Sequence, residues 1–374
     1  MITIKNQFTC RITAGEFKDF VLTEDVISLT YMLSAGLAVP YFDMTFILRN
    51  QEVLKYLNEG NIINVSMGKD ELDMCGMQFR LISDITTENY TLGSNVTIKG
   101  VLHRPKFITL AKNAKFDDQS INIIKSIASK HFSVVSNIGR TNDKQEWTQT
   151  GISDRQMIRD VWLHSFIDNQ SVIACAFEND TFRIKNLKTS ITSEAPWRFS
   201  ANKAPISQGS KIVHFGQFWT TNNYGAINEC IGRKLENIFL DVDTGEIEKP
   251  ESHLKNLTVV GSNKLNVTTT DVKEYKYGYK NSEVNTNYLL AEQHNMRNLM
   301  MFGSFKIFIP TAGVFSQFHL LDLAYLEQDS VGERCAGYCF IERILYRIED
   351  RRLMTNITLC KEAPNEIRGS GLAT

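Results

Sequence analysis

The sequence lacks the features that mark several large protein classes. Its 374 residues include 41 Lys and Arg against 42 Asp and Glu, so there is no basic excess of the kind that a general nucleic-acid binder needs. The most apolar stretch, residues 298–315, is interrupted by Lys306, Pro310 and two glycines, and it falls short of a membrane span. The N-terminus has no basic start followed by an apolar run. These absences predict a soluble chain without a signal peptide, made in a cytoplasm.

No motif of a familiar catalytic or cofactor site occurs in the chain. There is no Gly-x-Ser-x-Gly elbow, phosphate loop or dinucleotide fingerprint. Glu71 and Asp73 fall in a turn-like stretch, where solvation accounts for them. We therefore predict no catalytic, cofactor-binding or metal-binding residues and no cofactor. The histidines form no His-x-x-x-His pair and stand at seven separate places: His103, His131, His164, His214, His253, His294 and His319.

The seven cysteines are an odd number, which in a reducing cytoplasm favours free thiols over a disulfide framework. The stretch "GYCFIERILYRIEDRRLMTNITLCKEAPN", residues 337–365, raises the main question, because Cys335 and Cys339 stand at its entrance and Cys360 lies in its second half. The Cys-x₃-Cys spacing has no second Cys or His pair at a fixed interval, as a zinc motif would. Cys339 shares one side of a strand pattern with Ile341 and Leu345, which predicts a small buried apolar side chain. We interpret the stretch as a closing hairpin rather than a thiol site.

Two other features have ordinary structural interpretations. "DVDTGEIE", residues 241–248, begins like a calcium loop but lacks the later acidic position and the flanking helices of an EF-hand, so we predict a surface β-turn. The tryptophans could line a sugar-binding face, but a core or interface position is the commoner fate of a lone tryptophan. They are Trp147, Trp162, Trp197 and Trp219.

Residues 1–104 predict a small antiparallel barrel or sandwich. Gly, Asn and Asp separate short β-prone runs at near-regular spacing, with one brief helical turn over residues 51–60. The runs are "TIKNQFTCRI", "VISLTYML", "YFDMTFIL", "NIINVSMG", "GMQFRLISDITT" and "NVTIKGVL".

Residues 106–190 change character and predict an α+β unit. "DDQSINIIKSIASKHF" and "SDRQMIRDVWLHSFIDNQ" place apolar residues at helical spacing. Ser153 and Gln156 make a capping box at the start of the second helix. Two short strands follow, joined by Asn179 and Asp180.

The remainder returns to β structure. Residues 211–232 indicate a hairpin around Asn222 and Asn223, and residues 241–285 are polar and turn-rich. "TNYLLAEQHNMRNLMMFG" predicts an amphipathic helix. Residues 304–326 and the closing hairpin then complete a second strand-rich unit.

The order of these parts resembles the central baseplate hub protein of contractile-tailed bacteriophages, whose wider family includes the hub part of type VI secretion spikes. The resemblance rests on order and pattern rather than on a strict motif. Four segments carry it: the strand-rich N-terminal unit, "DDQSINIIKSIASKHF", "TGISDRQMIRDVWLHSFIDNQSVIACAFENDTFRIKNLKT" and the ending "GYCFIERILYRIEDRRLMTNITLCKEA".

The resemblance implies a fold of mixed β and α+β class, with two tube-like antiparallel β-barrel domains flanking and interrupted by α+β insertions. We expect the two barrels to superpose despite their unlike sequences. The expected domains are a first tube-like β-barrel (1–105), an α+β middle domain (106–200), a second tube-like β-barrel (201–240 and 296–365), an insertion with a polar excursion and a helix (241–295) and a C-terminal tail (366–374).

The function that the resemblance implies is mechanical, without enzymatic activity. Three chains would form a homotrimeric ring that adapts the sixfold tail tube to the threefold central spike and forms part of the channel for genome ejection. The implied partners are the tail spike protein, a tail tube or tube-initiator protein and other baseplate proteins, with DNA only in transit and no stable membrane insertion. The protein would be assembled in the host cytoplasm and reside in the virion baseplate. We also expect Leu345 to be buried and the trimer interface to use strand edges of both barrels.

Other interpretations stay open. The chain could be another tail component, such as a distal tail, wedge or receptor-binding protein. A carbohydrate-active or thiol hydrolase is a further alternative, which a measured activity lost on mutation of Cys339 or of a tryptophan would favour.

Overall fold

The structure, a computed structural model, is dominated by β-strands. Most strands belong to one 15-stranded sheet, and three smaller sheets accompany it. The predicted mixed β and α+β class is therefore confirmed. The residues that the structure describes are 9–68, 72, 74–83, 85–90, 93–168, 171–191, 195–201, 211–222, 234–249, 273–280, 291, 295, 299, 303–311, 317–349 and 352–362.

The first β module, residues 9–102, contains the predicted strand runs as far as the structure describes them, and residues 3–8 of the first run lie outside the described residues. Its strands follow the spatial order β2-β1-β5-β6-β8-β4-β3, with β7 on β8, and 3-10 turns precede β3 and β5. Strict alternation of buried and half-buried residues along β4 reflects a strand with one face in the core. The strands are β1 Thr9–Ala14, β2 Phe17–Val21, β3 Val26–Ser34, β4 Tyr41–Leu48, β5 Ile62–Gly68, β6 Met74–Leu81, β7 Thr86–Tyr90 and β8 Gly93–Leu102.

The middle unit, residues 103–191, combines short helices with two small sheets. One sheet is the antiparallel pair of β9 and β11, and the other has the order β10-β13-β12. Its elements are α1 Pro105–Ile108, β9 Ala111–Asp118, α2 Ser120–Ala128, β10 Ser133–Ser136, β11 Gln145–Ser153, α3 Asp154–Leu163, β12 Ile173–Phe177, β13 Thr181–Asn186 and α4 Leu187–Ser190.

Local sequence signals account for the helices of the middle unit. The predicted capping box is present at the start of α3, where the Gln156 N–H donates to Ser153 Oγ at 3.3 Å and the Ser153 N–H donates to Gln156 Oε1 at 2.9 Å. Helix α2 buries Ile121, Ile124 and Ile127 along one face. The two predicted helices are therefore confirmed.

The rest of the chain forms a second β module and a separate small sheet. Strands β14–β16 and β20–β23 belong to the large sheet, whereas β17–β19 form their own sheet. In chain order the elements are β14 Trp197–Ser200, β15 Lys211–His214, β16 Trp219–Asn222, β17 Lys234–Asp241, β18 Ile247–Glu248, β19 Lys273–Lys280, β20 Phe305–Thr311, β21 Leu323–Leu326, α5 Gln328–Val331, β22 Gly337–Glu349 and β23 Arg352–Lys361.

Several strand assignments differ from the prediction. The second β module departs from the predicted antiparallel pattern at one edge, because β14 pairs parallel with both β15 and β21. The predicted domain bounds placed β14 in the middle domain, but β14 belongs to the large sheet. The predicted bounds also placed residues 234–240 in the second barrel. These residues belong to β17, which pairs with β18 and β19. β21 and β19 lie far along the chain from β14 and β17, so the pairs β14–β21 and β17–β19 leave no local signal.

Other predictions lie partly or wholly outside the described residues. The second arm of the hairpin around Asn222 and Asn223 is one of them, and most of the helix predicted over residues 286–303 is another. The turn predicted within "DVDTGEIE" is confirmed, since Asp241 Oδ1 accepts hydrogen bonds from the N–H groups of Asp243 and Thr244 at 2.9 and 3.2 Å.

The two β modules are joined by a strand pair. β22 pairs antiparallel with β3, from Arg343 opposite Ser34 to Ile348 opposite Leu29. On its other side β22 pairs with β23, so one sheet runs through both modules. Within the described part of the chain neither module closes into a barrel. The predicted barrels are thus parts of one continuous open sheet.

The buried side of this pairing holds aromatic side chains from both modules. Tyr31 of β3 and Tyr346 of β22 stack with ring centroids 6.2 Å apart, and Tyr31 also meets the edge of Phe79. All three rings are buried. The core therefore runs without interruption from one module into the other.

Candidate functional site

The pairing of β22 with β3 also creates a continuous outward surface. Opposed residues on paired strands point to the same side of a sheet. The pairings place Leu345, Met32, Tyr41, Val101 and Arg80 in one row across both modules. All five are half-buried or exposed. We call this surface the shared face, and define it by this row together with Arg343, Arg347, Thr30, Asp43 and Lys99.

Charged side chains lie along a second row of the shared face. Arg347 is opposite Thr30, which is opposite Asp43, which is opposite Lys99. Lys99 Nζ lies 3.5 Å from Asp43 Oδ2, and both side chains are partly exposed. Such a pair contributes little to stability. The shared face is a polar surface with more cations than anions.

Beyond β22 the same sheet extends to an aromatic edge. Trp219 of β16 stacks on Phe308 of β20 with ring centroids 5.6 Å apart, and Trp219 is 48% exposed. Trp147, Trp162 and Trp197 are buried. Three of the four tryptophans are therefore buried, as predicted for a tryptophan in a core or interface position.

The turn between β12 and β13, residues Glu178–Asp180, lies where the three units meet, and we call it the junction turn. Glu178 Oε1 accepts a hydrogen bond from the Leu320 N–H at 2.7 Å, and Glu178 Oε2 accepts one from His319 Nδ1 at 3.0 Å. Asn179 Oδ1 accepts a hydrogen bond from the Tyr31 hydroxyl. Residues of the second β module thus bind Glu178, and Tyr31 of the first β module binds Asn179.

Arg104, at the start of the middle unit, holds the other side of the junction turn. Its Nη2 donates to the Asn179 carbonyl at 2.6 Å and pairs with the Asp180 carboxylate. Its guanidinium also lies over the Phe132 ring, 5.1 Å from the centroid. A planar donor group of this kind fixes both position and orientation.

Further charges balance one another beside the junction turn. Lys185 Nζ lies 3.0 Å from Asp322 Oδ1 and donates to the Leu321 carbonyl at 3.2 Å. Arg183 Nε lies 3.4 Å from Glu178 Oε1, and both side chains are largely buried. Removing one partner of such a buried set leaves an uncompensated charge. The set therefore ties β13 to the segment that precedes β21.

The three cysteines of the C-terminal stretch do not form a reactive site. Cys335, Cys339 and Cys360 are buried, as predicted for Cys339. Burial raises the pKa of all three thiols, that of Cys339 to about 12. The thiolate, which is the nucleophilic and metal-binding form, is therefore disfavoured. Among the residues that the structure describes, no cluster of His, Cys, Asp and Glu has the geometry of a metal site.

The closing hairpin of β22 and β23 is confirmed. Ile344, Tyr346 and Ile348 are buried, whereas Arg343 is exposed. The prediction that Leu345 is buried is wrong, because it lies half-exposed on the shared face. The ladder shifts register after Ile341, which marks a β-bulge.

Sequence reasoning missed the residues of the junction. It placed a turn at Asn179 and Asp180, but it gave no partner for Glu178, Tyr31 or His319. Each of these contacts joins positions far apart in the chain. The one local signal for Glu178 is a single charge at the end of an apolar run.

No protein-family profile matches the sequence, and no curated protein matches it. None of the helices in the described ranges is long and apolar enough to cross a membrane. Solved structures nevertheless share the fold, among them a tail protein from Neisseria meningitidis MC58. That match covers 95% of this chain and 97% of the other, with a TM-score of 0.56 and 10% identity.

A 43 kDa tail protein of prophage MuSo2 from Shewanella oneidensis matches over 95% of this chain and 98% of its own, with a TM-score of 0.57 and 10% identity. A type VI secretion system component of E. coli, described as structurally similar to the T4 bacteriophage tail proteins gp27 and gp5, matches over 95% of this chain and 77% of its own, with a TM-score of 0.50 and 8% identity. The predicted resemblance to tail and secretion-spike proteins is confirmed at the level of the fold.

Proposed function

We propose that the chain is a structural tail component and, more specifically, a trimeric baseplate hub that adapts a sixfold tail tube to a threefold central spike. The observation that carries this proposal is the pair β3–β22. It unites two β modules of one chain into a single sheet, in a fold that tail proteins share over nearly the whole chain. Two rigidly joined modules per chain are what a threefold ring needs in order to meet a sixfold partner.

Open strand edges support the proposed homotrimer. Within the described residues β2 pairs only with β1, and β16 pairs only with β20. An uncovered edge is a template for another strand. Closed rotational symmetry would cover such edges in every copy. The two edges belong to different modules, so one copy can present β16 where the next presents β2.

The shared face is the surface that we assign to the channel. Its mixed polar residues, such as Thr30 and Asp43, suit contact with water and with DNA in transit. One end of the ring would bind the tail tube or tube-initiator protein and the other end the tail spike, with other baseplate proteins around the outside. Assembly would take place in the host cytoplasm, without stable membrane insertion, and the protein would reside in the virion.

Mass measurement and negative-stain imaging test the proposal. We expect a trimeric ring or cup, either from the purified chain or after coexpression with the spike protein of the same tail. The coexpression arm is needed because the spike can nucleate the ring. A chain that stays monomeric at micromolar concentration in both arms would contradict the hub proposal.

A receptor-binding tail protein is the second candidate, favoured by one observation. Trp219 is exposed and stacked on Phe308 at a sheet edge. An exposed aromatic ring of this kind can stack on a sugar ring. Glycan-array binding that Trp219→Ala abolishes would favour this candidate. Trp197→Phe, at a buried ring, is the control for general loss of structure.

A further inference from the structure

A small basic cavity lies where the first β module meets the middle unit. It has a volume of about 130 Å³, and Arg80, His103 and Arg104 are among its lining residues. Val101 and Ile108 supply apolar walls. No acidic side chain is among the residues that line it. The cavity therefore combines cationic and protonatable groups with apolar walls.

The positive charge of this cavity is not fully compensated. Arg104 pairs with Asp180, but Arg80 is exposed and has no acidic partner among the described residues. The pKa of His103 is lowered, first by burial and then by the charge of Arg80. A proton on His103 is thus disfavoured by a neighbouring cation. An anion between the two side chains would reverse this repulsion.

We propose that this cavity binds a phosphate-type oxyanion, with Arg80 and His103 as its donors. A guanidinium presents a fork of N–H donors that matches the oxygens of a phosphate. An imidazole donates one N–H when neutral and two when protonated. Apolar walls strengthen such interactions because they exclude water.

The cavity itself does not depend on the proposed tail function, but DNA as the source of its ligand rests on that proposal. Arg80 also belongs to the shared face, so the phosphate group has two sources. One source is free phosphate, and the other is the phosphodiester backbone of DNA that passes over this face.

The pKa of His103, followed by NMR of its ring protons, tests the proposal. We expect phosphate to raise this pKa by about one unit relative to chloride, because a bound anion stabilises the imidazolium. By linkage, protonation of His103 would then tighten phosphate binding about tenfold. Ionic strength is matched between the two salts, since screening of Arg80 alone would also raise the pKa.

Two variants separate a site from a general charge effect. Arg80→Gln should remove the phosphate-dependent rise, because it deletes the main donor. Lys99→Gln removes another partly exposed cation of the shared face and should leave the rise unchanged. Equal loss in the two variants would overturn the proposal.

A third arm replaces phosphate with a short DNA duplex at the same ionic strength. A rise with phosphate alone supports the site and identifies free phosphate as its ligand, whereas a rise with both ligands supports the site for either source. A rise with DNA alone identifies the phosphodiester. The absence of a rise with either ligand overturns the proposal, and it would leave the hub proposal untouched because trimer formation is measured separately.

Discussion

Leu37 and Leu321 stand in different β modules, yet both adopt a left-handed backbone with φ of 63°, and each carbonyl accepts a hydrogen bond from a cation of the middle unit. Arg155 Nε donates to the Leu37 carbonyl at 2.9 Å, and Lys185 Nζ donates to the Leu321 carbonyl at 3.2 Å. Such a conformation costs a non-glycine residue on the order of 1–3 kcal/mol. Both leucine side chains are buried. The middle unit therefore stabilises one strained turn in each module.

Arg155→Met should lower the free energy of unfolding by about 1–3 kcal/mol, because it leaves the Leu37 carbonyl without its donor. Urea titration followed by circular dichroism measures the change. Arg159→Met is the matched control, since Arg159 is an exposed residue of the same helix, and it should change stability by less than about 0.5 kcal/mol. Equal effects of the two substitutions would count against a special role of Arg155.

Ile344→Asp and Leu345→Asp should have opposite consequences. Ile344 is buried, so an unpaired carboxylate there should cost several kcal/mol and unfold the chain. Leu345 lies half-exposed on the shared face, which we assign to the channel, so its Asp variant should fold and keep the oligomeric state of the unaltered chain. Thermal unfolding and analytical ultracentrifugation separate the two effects. An unfolded Leu345→Asp variant would show that the outward side of β22 belongs to a core.

Native-state alkylation should spare Cys339. Its pKa of about 12 leaves a negligible thiolate fraction at neutral pH, and its side chain is buried. Cys75 is only half-buried and should react first with iodoacetamide, as read by mass spectrometry of peptides. Urea should make both reactive. If Cys339 reacted as fast as Cys75 in the native protein, the C-terminal stretch would contain a reactive thiol, contrary to this prediction.

Asp154 should make stability depend on acid pH. Burial alone would raise its pKa, but hydrogen bonds from Lys112, His131 and Gln149 outweigh burial and the pKa is lowered. His131 Nε2 lies 2.6 Å from Asp154 Oδ2, and Gln149 Nε2 lies 3.1 Å from Oδ1. A carboxyl with a lowered folded-state pKa adds stability above its unfolded-state value, and this is lost as the pH falls through the folded-state value.

Asp154→Asn should therefore lower stability at neutral pH and flatten its decline below about pH 4. Urea titrations over a pH series check this. Asp117→Asn is the control, because Asp117 is exposed and its nearest cation, Lys144, is 3.8 Å away. A decline that keeps its steepness in Asp154→Asn would mean that another carboxyl is responsible.

Glu178→Gln should loosen the junction turn without unfolding the modules. The neutral amide keeps an oxygen for the Leu320 N–H but loses the charge that faces His319 and Arg183. Amide hydrogen exchange should then accelerate in residues 317–322 while the β3–β22 pair stays protected. Unchanged exchange in that segment would show that the ion pairs do not hold it.

Features set by neighbours in the chain could be predicted from the sequence. The capping box of Ser153 and Gln156 depends on residues one turn apart, and the alternation along Tyr41–Leu48 depends on one buried face. The burial of Cys339 was also predicted, although the strict alternation assumed along β22 does not hold, since Cys339, Phe340 and Ile341 are all buried. These features needed no knowledge of distant partners.

Features that join distant parts of the chain could not be predicted in this way. The bulge after Ile341 changes which residues of β22 face outward, and no sequence pattern marks it. The parallel pair of β14 with β21 depends on a strand that follows at a long interval. The partners of Glu178 lie far along the chain. The sequence therefore predicted the turn but not the contacts that it makes with the second β module.

The pair β3–β22 also sets the order in which the protein can fold during synthesis. β3 emerges from the ribosome early, but the strand that covers its free edge is among the last to be made. Until then the nascent chain carries an unpaired strand edge of the kind that recruits other strands. The closing contact bridges nearly the full length of the chain, and contacts of this kind slow folding. A premature stop before β22 would therefore release a chain whose first module has an open, aggregation-prone edge.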